Sequence, residues 1–158
     1  MAVSGPTGLV VGAGPAGLMA AEEMARGGLE VVLAEAKPSI ARKLLMAGKS
    51  GLNLTKNEDG AAFLAAYGTA AVPLRPMMDA FGPAEVCAWA EALGQPVFTG
   101  SSGRVFPEAM KASPLLRAWS SRLAALGVFM QTRWRWAGWD AAGAHRFETP
   151  EGPRQLSP

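Results

Sequence analysis

The 158-residue chain is 49% apolar and carries 15 basic against 13 acidic residues, a net charge of +2. That length and hydrophobicity suit one globular domain with a substantial core; the balanced charge, with Arg133 and Arg135 separated by Trp134, argues against nucleic acid as a partner. A single cysteine, Cys87, excludes a disulfide framework and a Cys-rich metal site and fits a reducing, cytoplasmic setting.

In chain order, Leu9 to Val11 reads as a strand and runs directly into Gly12, Gly14 and Gly17 at G-x-G-x-x-G spacing. A helix-period run from Ala16 to Arg26 follows, which is the context a dinucleotide fingerprint requires. Gly12 permits the tight turn out of the strand, Gly14 lets backbone approach a pyrophosphate, and Gly17 lets the helix lie close on the sheet. Phosphates then meet free N–H groups and the positive end of the helix dipole. Glycines and a proline interrupt the stretch from Leu9 to Ala25, and two glutamates sit within it, so it is neither a signal peptide nor a membrane span. After Gly27 and Gly28 stop the helix, Glu30 to Ala34 reads as a second, parallel strand ending at Glu35. A carboxylate there can bind both ribose hydroxyls and would repel a 2′-phosphate.

Lys37 to Asn57, rich in Lys, Gly, Ser and Asn, reads as a functional loop. Asp59 caps a short helix with Phe63, Leu64 and Tyr67, and Pro76 starts another with Met77, Met78 and Phe81. Pro83 to Leu93 is a clearer helix, with Val86, Trp89, Ala90 and Leu93 on one face and Gly94 as its stop. Pro96 to Thr99 and Arg104 to Phe106 form a hairpin around a four-residue turn. Ser113 and Pro114 supply a cap and first turn for a helix whose buried stripe is Leu116, Trp119, Leu123 and Leu126. Val128 to Met130 is a further strand, continuing into an alternating segment with Trp134 and Trp136 on one face and Arg133 and Arg135 on the other. Asp140 to Gly143 turns the chain back into Ala144 to Thr149. The three prolines of 150–158 and the lack of an apolar run predict no packed strand there and a disordered tail over 151–158.

The sum is an α/β chain: a partial doubly wound parallel sheet with an inserted helical and hairpin segment over 58–106 and a β-meander, all within an incomplete domain over 1–150. A last central strand, which would close the nucleotide site, is not among the expected elements.

Gly48, Lys49 and Ser50 invite comparison with a P-loop, but that motif needs a glycine where Lys43 stands and a strand directly upstream. An NAD-only Rossmann domain shares the first fingerprint. The Lys- and Asn-bearing loop tilts the choice toward FAD: Arg42, Lys43 and Lys49 offer cations to phosphates or flavin, and Asn53 and Thr55 offer neutral hydrogen bonds to ring or ribitol edges. His145, the only histidine, has no carboxylate or serine near it in sequence. Cys87 has no basic neighbour or second cysteine and reads as a structural thiol. No residue stands out as a general base, so the catalytic residues stay open.

The runs Val11 to Leu18 (VGAGPAGL), Arg42 to Thr55 (RKLLMAGKSGLNLT) and Gly103 to Ser113 (GRVFPEAMKAS), together with Glu35, resemble the aminoacetone-oxidase-like branch of bacterial NAD(P)/FAD-dependent oxidoreductases. The resemblance covers most of residues 7 to 152 and is loose between Glu58 and Leu93. It implies a glutathione-reductase-type FAD-binding Rossmann domain acting on a small organic substrate by hydride exchange with the flavin, with NAD(P)H as a candidate electron donor. Carried over by position, Gly12, Gly14, Pro15, Ala16 and Gly17 hold the pyrophosphate, and Glu35, Ala36 and Lys37 border the adenosine ribose. Arg42, Lys43, Asn53, Leu54 and Thr55 lie toward the flavin, and Trp136 stands at the strand end that touches adenine. Gly51 and Leu52 replace an Arg-Cys pair that many members carry, so chemistry assigned to that cysteine does not transfer. Members also continue into a closing strand and a substrate domain, so the resemblance marks this chain as an N-terminal portion; a non-catalytic nucleotide-binding remnant is the alternative, as is an NAD-only dehydrogenase domain. Neither membrane nor nucleic acid is expected as a partner, and the oligomeric state is left open.

Overall fold

The computed structural model describes residues 7–157. Its elements begin with β1 (Thr7–Val11), α1 (Pro15–Arg26), β2 (Glu30–Glu35), α2 (Arg42–Ala47), β3 (Thr55–Lys56), α3 (Gly60–Ala65), a 3-10 turn (Gly68–Ala70), α4 (Ala71–Ala80) and α5 (Pro83–Ala92). They continue with β4 (Val97–Thr99), β5 (Arg104–Pro107), α6 (Ala112–Ala125), β6 (Phe129–Thr132), β7 (Arg135–Trp139), β8 (His145–Thr149) and β9 (Gly152–Leu156). Two compact units form: one up to Leu44 and again from Ser120, the other Leu45–Trp119.

The first unit is built on a parallel sheet of order β1-β2-β6. Val31, Leu33 and Ala34 of β2 are buried, and α1 turns Leu18, Ala21 and Glu22 inward at helical spacing. Each large aliphatic side chain so buried contributes about 1.5–3 kcal/mol. Gly27 caps α1 at its C-terminus, and the Leu29 N–H reaches back to the Met24 carbonyl at 3.1 Å. The α/β, Rossmann-type class read from the sequence is therefore the observed one.

Glu22 is a buried carboxylate in that apolar face, 1% exposed. Arg26, one turn on, donates to its Oε1 at 2.7 Å through Nη2, and Arg122 of α6 donates at 3.2 Å through Nη1. The Glu22 carboxylate in turn raises the Arg26 guanidinium above its ordinary value, by hydrogen bonding first and charge second. A Glu22→Ala chain leaves the four-fifths-buried Arg122 side chain without this carboxylate, and the expected cost is about 3 kcal/mol. A fall in the denaturant midpoint at unchanged slope checks it; an unchanged midpoint would show that the pair contributes nothing.

An antiparallel sheet of order β7-β8-β9 completes the first unit. Asp140 shapes its first turn, its Oδ1 accepting the N–H groups of Ala142 at 2.8 Å and Ala144 at 2.9 Å. The tail expected to be disordered instead supplies β9, paired with β8 from Thr149↔Gly152 to His145↔Leu156. Pro153 is tolerated because β9 is an edge strand, where a missing N–H need not break a ladder. The alternating segment also differs from expectation. Arg133 adopts φ +60, so the chain breaks between β6 and β7 and the two strands join different sheets, although Trp134 and Trp136 remain half-buried and Arg133 and Arg135 exposed.

The second unit holds an antiparallel sheet of order β3-β5-β4. Asp59 caps α3 as expected, accepting from Ala61 and Ala62 N–H at 2.9 and 3.2 Å, and Glu85 accepts the Gly82 N–H at the start of α5. The loop read over 37–57 contains α2 and β3. Lys43 to Ala47 are good helix formers, and β3 exists because Thr55 finds Val105 across the sheet, a pairing no local signal announces. Pro76 lies inside α4 rather than starting it, because the 3-10 turn feeds α4 from Ala71. Likewise α6 starts at Ala112, ahead of the expected Ser113 cap. Its stripe gains Leu115, 1% exposed, and Trp119 meets Trp89 edge-on at 4.7 Å.

Candidate functional site

The glycine loop between β1 and α1 is held by a small number of backbone bonds. Gly12 takes φ +101, the region that glycine adopts without penalty, and its N–H donates to the Ala34 carbonyl at 2.7 Å. Ala13 is fully buried; its N–H donates to Glu35 Oε2 at 2.9 Å and its carbonyl accepts the Ala41 N–H at 2.8 Å. Gly14 is the N-cap of α1, extended and without a side chain to cap it, and Pro15 follows at the first turn. The N–H groups of Ala16 and Gly17 therefore have no acceptor one turn back within the helix, and they point with the positive end of its dipole. A Cβ built on Gly14 meets nothing within 4 Å, so the space beside this N-cap residue is open. A Cβ on Gly17 would lie 1.8 Å from the Gly12 carbonyl oxygen; hydrogen at that position is what lets α1 sit on β1.

Glu35, at the C-terminal end of β2, is half-buried and binds backbone with both oxygens: Oε2 to Ala13, and Oε1 to the Lys37 N–H at 2.8 Å. A carboxylate offers about four lone-pair positions, so each oxygen keeps one for a further donor. The Glu35 carbonyl accepts the Trp134 N–H at 2.9 Å, and the Lys37 carbonyl accepts the Arg133 N–H at 3.1 Å. The end of β2 is thus fixed from the glycine loop, from its own following turn and from the chain leaving β6.

The structure brings Gly12, Gly14, Pro15, Ala16, Gly17, Glu35, Ala36 and Lys37 into one cluster. Arg42 and Lys43 follow directly on Ala41, which the loop anchors through Ala13. Both are exposed, with Arg42 donating to Ser39 Oγ at 3.4 Å. Asn53, Leu54 and Thr55 belong to the second unit, where Asn53 is exposed, the Leu54 N–H donates to the Val105 carbonyl at 2.9 Å, and Thr55 is 8% exposed. Trp136 is the second residue of β7, opposite Phe147, its indole edge-on to Trp139 at 4.7 Å and 6.3 Å from the His145 ring. The residues bonded to the Glu35–Lys37 turn are Arg133 and Trp134, one break earlier than the strand reading allowed.

Sequence reasoning missed Ala13, Ala41 and Glu22. Ala13 could have been found, since the position between the first two glycines must be small enough to bury; Ala41, at φ +51, leaves no such trace. Cys87 is half-buried on α5. Burial, and secondarily the Glu91 carboxylate, push its thiol above the ordinary value, which disfavours the thiolate a nucleophile needs. Among the described residues no His, Cys, Asp and Glu group could hold a metal, and no helix is long and apolar enough to cross a membrane.

A family profile described as HI0933-like protein Rossmann domain matches residues 7–156. Solved structures match at low identity and so speak for the fold alone. The 3-ketosteroid-delta4-(5alpha)-dehydrogenase from Rhodococcus jostii RHA1, in complex with 4-androstene-3,17-dione, superposes with a TM-score of 0.69 at 15% identity over 93% of this chain and 42% of that one. THI4 from Thermovibrio ammonificans gives 0.57 at 15% identity over 96% and 54%, and aklavinone-11 hydroxylase, in a ternary complex with FAD and aklavinone, gives 0.53 at 15% over 99% and 32%. The chain therefore spans about a third to a half of the length of these structures. No curated protein matches the sequence significantly.

Proposed function

The chain belongs to the HI0933-like Rossmann-domain family, and from that membership we propose that its first unit binds the ADP half of FAD in an oxidoreductase acting on a small organic substrate. The observation that carries the reading is the pairing of two elements: first-turn donors at Ala16 and Gly17 without a helical acceptor, next to a Gly14 whose Cβ would meet nothing within 4 Å, and Glu35 fixed beside the same loop with lone pairs to spare. The first suits a pyrophosphate, the second a ribose diol. In this reading Gly12, Gly14, Pro15, Ala16 and Gly17 cradle phosphate, and Glu35, Ala36 and Lys37 border the ribose. Arg133 and Trp134 replace Trp136 as the neighbours of the adenosine end.

Arg42, Lys43, Asn53, Leu54 and Thr55 enter as cofactor contacts through the sequence resemblance alone, as do the aminoacetone-oxidase-like branch, NAD(P)H as electron donor, and hydride exchange with the substrate. Bound FAD supplies the redox chemistry; the chain supplies binding, orientation and charge. FAD is preferred over NAD because the Arg42–Thr55 and Gly103–Ser113 runs accompany the glycine fingerprint.

The purified chain mixed with FAD is expected to carry flavin absorbance through gel filtration, and ADP is expected to raise its unfolding temperature as a ligand of the native state must. Stabilisation by NADH with no retained flavin would favour the NAD-only reading instead, and no response to either nucleotide would overturn the site.

A further inference from the structure

From Gly60 to Phe81, through α3, the 3-10 turn and α4, the only charged residues are Arg75 and Asp79. α4 lies against α3 and the 3-10 turn, yet none of its residues is fully buried. Ala71, Leu74 and Met78, at helical spacing on one side, are half-buried. The opposite side is Val72, Pro73, Pro76, Met77 and Ala80, all exposed, Val72 by 80% and Met77 by 61%. A surface helix normally turns its apolar stripe inward and its charges outward; here a continuous apolar stripe faces water, which marks an interaction surface. Proline and alanine lose no side-chain freedom on burial, so covering the stripe costs little entropy.

The two charges indicate what covers it. Arg75 and Asp79 lie one turn apart along one border of the stripe, both exposed, and neither is ion-paired with any described residue. Opposite signs at equal distances on either side of Met77 make that border complementary to itself. A two-fold axis through Met77 brings Arg75 against the partner's Asp79 and Asp79 against the partner's Arg75, whereas a partner surface of one sign would leave one of the two opposed by a like charge. We propose that α4 docks against α4 of a second copy of this chain, antiparallel about a two-fold axis near Met77. The apolar stripe supplies contact area and the charges at its border fix direction. α4 has 10 residues and is about 15 Å long, so the contact is smaller than the roughly 800 Å² a side of a standard interface and the dimer is reversible. It uses residues of the second unit only and stands whether or not the first unit holds a nucleotide.

Sedimentation velocity on the full chain over a concentration series is expected to show a monomer–dimer equilibrium. Arg75→Asp sets an aspartate against Asp79 at both ends of the pair, and Asp79→Arg sets an arginine against Arg75; each is expected to weaken dimerisation about tenfold. The two variants mixed one to one should recover the parent affinity, because each end of the mixed pair again joins opposite charges. Met77→Glu, which puts two carboxylates together at the axis, should leave the chain monomeric. All three positions are exposed, so the variants should unfold at the parent's temperature, which separates loss of the dimer from loss of the fold; Met77→Glu decides the matter if a charge variant does not fold. A parent chain that stays monomeric throughout the series would overturn the proposal and leave the stripe to a different partner. Single variants that associate like the parent, or a mixture no tighter than either variant alone, would overturn it as well.

Discussion

Gly17→Ala is expected to abolish ADP and FAD binding and to destabilise the first unit by about 3 kcal/mol or more. The added methyl carbon would sit 1.8 Å from the Gly12 carbonyl oxygen, far inside contact distance, and the obstacle is backbone that no rotamer change can remove. Relief requires α1 to lift from β1, which moves the Ala16 and Gly17 donors and uncovers Leu18 and Ala21, both fully buried. Urea denaturation measures the stability loss and calorimetric titration with ADP the binding loss. Gly14→Ala is the matched control, since a Cβ there meets nothing of the protein within 4 Å: it should fold normally and weaken binding only through the ligand. Equal stability of Gly17→Ala and the parent chain would show that α1 and β1 are not packed as described.

The second large effect is at Glu35. Glu35→Ala removes the acceptor for the Ala13 and Lys37 N–H groups as well as the proposed ribose partner. Charge-assisted bonds of this kind contribute about 1.5–3 kcal/mol each, so ADP affinity should fall on the order of a hundredfold. A second readout separates the ribose role from loop anchoring. The parent chain should discriminate against ADP carrying a 2′-phosphate, because that group would face the carboxylate, and Glu35→Ala should lose the discrimination while losing affinity. If both ligands weaken in parallel, Glu35 serves the loop and not the ribose.

Much of the Rossmann-type architecture was legible in the residues. The strand, glycine turn, helix and second strand fall where the fingerprint puts them, because each step is local: a β-branched run, a positive-φ glycine, helical spacing of Leu18 and Ala21, and glycines to stop. Asp59 and Asp140 announced a helix start and a turn for the same reason. Arg133 was misread because side-chain alternation in burial persists across its left-handed kink, so the pattern of Trp134 and Trp136 reads as one strand when two sheets are involved. The tail was misread because Pro153 and Pro158 weigh against a strand by propensity, whereas a ready-made edge on β8 outweighs propensity.

What the residues determined unaided was what a few neighbouring positions can specify: the glycine turn, the helix after it, the acidic end of β2, and the class of fold. The tertiary structure decided what depends on partners distant in sequence. It made Glu22 a buried ion-pair hub with Arg122, turned Glu35 into an anchor for Ala13 as well as a candidate ribose ligand, and recruited β3 and β9 into sheets. The physical reason is that hydrogen-bond and charge partners a hundred positions away cost no local signature, while their burial makes them decisive once the chain has closed.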